Sequence, residues 1–122
     1  MAAVEYDNLD SFSRSHGLVS RADAKAFARL VVARAHGAGL AAGQKNWVEL
    51  GGTGTDIGFD FAVAEECGRW SECQGYVDTY GDHVLAVEYR KRDFRWTCDH
   101  FPGLSVVRRD VDLSTRGVRR WC

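Results

Sequence analysis

The sequence predicts an α/β protein in which βα units build a parallel sheet. Short apolar runs of strand length alternate with segments of helical period, and glycines or a proline close most of the helical segments. The unit recurs about every 20 to 35 residues, as right-handed crossovers between parallel strands require. With 122 residues the chain is sized for one domain. Two architectures satisfy the pattern: an open doubly wound sheet of five strands, or the second part of an eight-stranded barrel.

Strands are expected at residues 2–8, 40–45, 59–65, 83–89 and 104–110, each a short run with continuous or alternating apolar content. Ser20, with Asp23 three residues on, predicts the start of the first helix. Phe27, Leu30, Val31 and Ala35 mark its apolar stripe, and Gly37 and Gly39 its end. Residues 47–50 can turn helically, but the glycines of GGTGTDIG (51–58) predict a loop. Ser71 and Gln74 read as a capping box for a helix carrying Cys73, Tyr76, Val77 and Tyr80, ended by Gly81. Phe94, Cys98 and Phe101 repeat the helical spacing before Pro102 and Gly103. A last short helix is expected over residues 115–121, capped by Ser114.

Charge removes several function classes. Sixteen Lys and Arg against seventeen Asp and Glu give a net charge of −1, so no whole-protein field favours nucleic acid or an anionic membrane. The longest apolar runs, such as 84–87, hold about four residues against the ~20 that span a bilayer. Glu5, Asp7 and Asp10 stand where an export signal needs basic and apolar residues. Yet Cys67, Cys73, Cys98 and Cys122 form an even set, which reads as a disulfide framework. Of the three possible connectivities, Cys67–Cys73 with Cys98–Cys122 is favoured, because the first pair is separated by only six positions. A metal site on Cys98 and His100 is the rival, but its spacing is not a usual zinc spacing.

Acidic residues gather at strand C-terminal ends: EYDNLD (5–10), AEEC (64–67), VEY (87–89) and RRD (108–110), with QKN (44–46) closing the second strand. In parallel βα folds that edge is where active sites assemble. Cleavage of a glycosidic bond takes two carboxyl groups, one to protonate the leaving oxygen and one to attack carbon or activate water. Alternation puts Glu5 and Asp7 on one face and Glu65 on the face of Phe61 and Val63, with Glu66 opposite. Lys45, with acids on both adjacent strands, is expected to pair with them. Tyr6, Trp47, Trp70 and Tyr89 stand near enough to stack on sugar rings, with packing the expected role for at least two. The glycines of 52–58 follow a turn and precede a strand, the reverse of a phosphate-binding order, so they read as a connection.

Taken in order, EYDNLDSF, GLAAGQKN, FDFAVAEEC, VLAVEY and a closing cysteine resemble glycoside hydrolase family 114, the endo-α-1,4-polygalactosaminidases. The resemblance implies a (βα)8 TIM barrel, of which residues 1–122 form a single partial domain holding strands four to eight. It also implies an extracellular enzyme that cleaves α-glycosidic bonds in galactosamine- or galactose-containing polysaccharide and needs no cofactor. Carried onto this sequence, the catalytic pair is Asp7 and Glu65, while Glu5, Asn8, Asp10, Lys45, Asn46, Glu88 and Tyr89 line the sugar site. A partial barrel exposes unpaired strand edges, so self-association is expected, and inactivity of the chain by itself. The alternative is a carbohydrate-binding remnant without catalysis, or a truncated gene product.

Overall fold

The computed structural model describes residues 2–122, and the βα series is present with strands slightly shorter than the runs that predict them. β1 (Ala3–Tyr6), β2 (Ala41–Lys45), β3 (Phe61–Glu65), β4 (Val84–Glu88) and β5 (Ser105–Arg109) lie side by side in chain order, all parallel. The connections are α1 (Arg21–Gly37), α2 (Thr53–Ile57), α3 (Cys67–Trp70) with α4 (Cys73–Tyr80), and α5 (Lys91–His100). Ser20 caps α1 as expected: its hydroxyl accepts from the Asp23 N–H at 3.0 Å, and the Asp23 carboxylate accepts from the Ser20 N–H at 2.9 Å.

The stripe expected on α1 is shifted: Phe27 and Leu30 are exposed, and Ala28, Val32 and Ala35 are the buried residues. Three further elements depart from expectation. Residues 53–57 form the short helix α2 instead of a loop. Tertiary packing overrides the poor propensity of glycine there, since a side chain at Gly54 would collide with Tyr80 and Gln44. Ser71 and Gln74 form no capping box: Ser71 ends α3 in the left-handed region at φ 60°, and α4 starts after Glu72 without a side-chain cap. The last helix is instead a strand, β6 (Arg119–Trp121), antiparallel to β5. A turn held by Asp110, whose carboxylate accepts from the Ser114 N–H at 2.9 Å, reverses the chain onto the β5 edge. Both favoured disulfides are present, Cys67–Cys73 and Cys98–Cys122, the second tying β6 to α5.

Strand alternation separates two faces. Val84, Ala86 and Val106 are buried on one side with Ala42, Ala62 and Ala64, and these small residues let the helices pack close. On the other side Phe61, Val63, Val87 and Val107 line an open concavity, where Leu85 is 45% exposed and Trp121 63%. A doubly wound sheet reverses strand order and carries helices on both faces; a barrel keeps sequential order with helices outside. The order β1-β2-β3-β4-β5 with one helix-free face is that of a partial (βα)8 barrel. No helix among the described residues is long and apolar enough to cross a membrane.

Candidate active site

The C-terminal ends of β1, β2 and β3 converge on one ammonium group. Lys45 Nζ lies 2.8 Å from Asp7 Oδ1, 3.1 Å from Glu65 Oε2 and 3.9 Å from Glu5 Oε1. Register explains the meeting: Glu5 stands opposite Gly43 and Lys45 opposite Val63, so the four side chains share the concave face. The lysine side chain is 9% exposed and Asp7 57%, so the cation is the buried centre of a half-open acidic cluster.

Glu65 is held from three directions. Asn46 Nδ2 donates to Oε2 at 3.2 Å, the Tyr89 hydroxyl donates a short hydrogen bond to Oε1, and Lys45 completes the set. Burial raises the Glu65 pKa, but the donors from Tyr89, Lys45 and Asn46 outweigh it and hold the group below its usual range. The hydrogen bond from Lys45 likewise lowers Asp7, outweighing the opposing effect of burial. For Lys45, desolvation pulls the pKa down, yet Asp7 and Glu65 carry it above the ordinary lysine value. All three groups are therefore charged at neutral pH. The Tyr89 phenol is driven up, first by burial and then by Glu65, so it stays a donor.

Backbone strain collects at this rim. Asn8, Asn46, Trp47 and Glu66, which follow β1, β2 and β3, all have φ between 55° and 62°. Asparagine adopts that region more readily than most residues, and such clusters gather at functional sites. The turn after β2 is buttressed by Gln44, 1% exposed, whose amide donates to the Asn46 and Trp47 carbonyls at 2.9 and 3.0 Å and whose oxygen accepts from Tyr80.

Not every expected site residue arrives. Glu88 shares the face of Val84 and Ala86, so it points into the helix layer instead of the concavity and is 0% exposed. It accepts from the Gly68 N–H at 2.6 Å and the Thr97 hydroxyl at 3.3 Å. Asp10 turns to Arg14 at 3.2 Å, outside the cluster. Asn8 touches Asp7 at 3.5 Å, and both line a cavity against α1 with Leu9, Val19 and Phe27, so Asp7 stands between that cavity and the Lys45 cluster while Asn8 makes no contact with Lys45. Of the aromatics, Tyr6 donates to the Val31 carbonyl at 2.8 Å and Trp47, 4% exposed, packs on Phe12, so both are structural. Trp70 is exposed beside Arg69, and Tyr89 alone of the four meets the cluster.

The cleft over the cluster has a volume of about 410 Å3, and its far wall holds Arg109, Arg119 and Trp121. That wall is not legible in the sequence, where residues 115–121 read as a helix and only pairing with β5 makes a strand of 119–121. The cleft is thus polarised, acidic at β1 to β3 and basic at β5 and β6. Cys67, Cys73 and Glu88 bring three potential metal-ligand atoms together, but both sulfurs are spent in a disulfide.

Acids from separate parallel strands at one barrel rim are a glycosidase arrangement, and the profile of glycoside-hydrolase family GH114 matches residues 1–122. The chain belongs to family GH114. Among solved structures it is similar to Aspergillus fumigatus Ega3, crystallised in complex with galactosamine, with a TM-score of 0.83 at 21% identity. That match covers 98% of this chain and 53% of the Ega3 chain, so this GH114 chain spans about half the length of its structural neighbour. No curated protein matches its sequence.

Proposed function

We propose that this GH114 chain carries the acidic half of a glycosidase site for α-linked, galactosamine-containing polysaccharide, with Asp7 and Glu65 as the catalytic pair. One observation carries the reading: Asp7 Oδ1 and Glu65 Oε2 both contact Lys45 Nζ, at 2.8 and 3.1 Å. Laid end to end, those lengths keep the two oxygens within about 6 Å. Carboxyl groups about 5 Å apart suit a double displacement through a glycosyl-enzyme, whereas inversion needs about 6.5 Å or more for a water. Asp7, the more exposed, is the nucleophile, and Glu65 the general acid. An unacetylated galactosamine is cationic, so Glu5, Asp7 and Glu65 attract it. The disulfides fit an oxidising, extracellular setting.

A general acid must hold a proton, and here Glu65 is kept ionised. Burial already pushes its pKa up, so covering the concave face with substrate or protein strengthens that push and lets Glu65 take up a proton. The 122-residue chain by itself therefore favours a second reading, binding without turnover.

The test is calorimetric titration with α-1,4-linked galactosamine oligomers, with reducing ends followed in parallel. Expected are saturable, salt-sensitive binding and at least tenfold weaker binding in both Asp7→Asn and Glu65→Gln. Absence of binding overturns the site. Measurable sugar release that is undiminished in both variants overturns the catalytic pair, and binding with no release by the wild type upholds the second reading.

A further inference from the structure

A second charged concavity lies on the helix side of the sheet, outside the site described above. Lys91, Phe94 and Arg95 of α5 form one wall and Arg108 of β5 and Arg120 of β6 the other, around a volume of about 330 Å3. Four cations converge there without an acid. None of the four takes part in any ion pair among the described residues. The neighbouring acids are engaged elsewhere, Asp93 with Arg90 and Arg92 and Asp110 with Arg109. Glu88, the register partner of Arg108, turns only Oε1 to Gly68 and Thr97, and its Oε2 reaches no hydrogen-bond partner, Arg108 included.

The arrangement is unfavourable three times over. Arg108 and Arg120 are direct partners in the antiparallel β5–β6 pair, where like charges destabilise. Lys91 and Arg95 stand four apart on α5, another like-charge contact. Lys91 also occupies the first turn of α5, where the helix dipole repels cations and attracts anions. Independently of charge, Arg108 Nε is buried without any hydrogen-bond partner, and an unpaired buried donor is costly. A single tetrahedral anion relieves all four defects, because guanidinium forks match its oxygens and its negative charge suits both the cations and the N-terminal end of α5. The limited, half-open volume suits a small ion more than the track of a polyanion.

We propose that Lys91, Arg95, Arg108 and Arg120 form a binding site for a tetrahedral oxyanion of the phosphate or sulfate class, either free or as a monoester. Titration of the 122-residue chain with inorganic phosphate, against sodium chloride of equal ionic strength, is expected to show one saturable site and a phosphate-dependent rise in Tm. Arg108→Gln and Arg120→Gln should each weaken binding at least tenfold, while Arg29→Gln on α1 leaves it unchanged. Without phosphate both site variants should melt no lower than the wild type, since each removes a repulsion. Phenyl phosphate separates the sources: a tighter midpoint than inorganic phosphate marks a carried group, an equal one a free ion, and either upholds the site. No heat or Tm shift beyond the chloride reference, or equal responses from the wild type and both site variants, overturns it.

Discussion

Asn46 and Glu65 hold one another twice: the Asn46 amide donates to Glu65 Oε2 at 3.2 Å, and the Glu65 N–H donates to Asn46 Oδ1 at 2.9 Å. One side chain thereby fixes both the backbone exit of β3 and the direction of its carboxylate. Asn46 also sits at φ 57°, where alanine is disfavoured by roughly 1 kcal/mol. Asn46→Ala should lower stability by about 1–3 kcal/mol, the lost bonds and the backbone term together. It should also weaken galactosamine-oligomer binding. Urea unfolding and calorimetry check the two effects, and an unchanged binding constant would show that Glu65 needs no such support.

Lys45 makes the acidic cluster compatible with folding, and the sign of its pH dependence follows. Asp7 and Glu65 are depressed below their ordinary values of 3.8 and 4.5, so their contribution is complete above that range and is lost as pH falls through the folded values. Lys45 is raised above 10.5, so its contribution is complete below that pH and is lost on further alkalinisation. Tm should therefore hold a plateau between and fall on the acid side. In Lys45→Met the plateau should drop, because three carboxylates then repel without a cation, and the acid slope should flatten or reverse. Melting curves from pH 3 to 9 test this, and parallel profiles for the two proteins would refute it.

What was legible in the sequence depended on how local the signal was. The Ser20–Asp23 cap of α1 is written within four residues, and both bonds form. The pairing of Lys45 was legible because a cation closes a strand flanked by acidic ones. The side of Glu88 was not: β4 reads VLAVE, apolar on both faces, so alternation gave no clue to which face met the helices. Gln44 passed unnoticed as a polar residue in a small-residue strand, although its partners Trp47 and Tyr80 come from separate elements. β6 is three residues long with two arginines, and only pairing with β5 and the Cys98–Cys122 bond make it a strand.

Glu88 is a buried carboxyl with one oxygen, Oε2, that finds no partner. Desolvation raises its pKa, only partly offset by the Gly68 N–H and the Thr97 hydroxyl. A raised carboxyl pKa means that the folded state binds the proton more tightly, so stability from this group declines as pH rises from about 4.5. Glu88→Gln mimics the protonated form and keeps the acceptor for Gly68. It should melt higher than the wild type at pH 7, by a margin that shrinks towards pH 4. A lower Tm at pH 7 would mean that the carboxylate is ionised and paired, with Arg108 at the register position to receive it.

The two lateral edges of the sheet differ in how they are protected, and that difference predicts how the chain associates. At β5 the outer edge is covered by β6, which the Cys98–Cys122 disulfide ties to α5. At β1 no strand among the described residues pairs with the outer edge, and Phe27, which shares a cavity with Tyr6 of β1, is 61% exposed. Unpaired edges beside apolar surface recruit further strands, and inward acids such as Glu5 only partly blunt them. The 122-residue chain should therefore self-associate reversibly, with sedimentation velocity showing a mass that rises with concentration. Cys98→Ser with Cys122→Ser removes a bridge across a 24-residue separation. By loop entropy it should cost about 3 kcal/mol. It also frees β6 to leave the β5 edge, so the double variant should associate at lower concentration than the wild type. A monomer at all concentrations in both proteins would show that the β1 edge is closed by its own charges and that β6 is not needed as a cover.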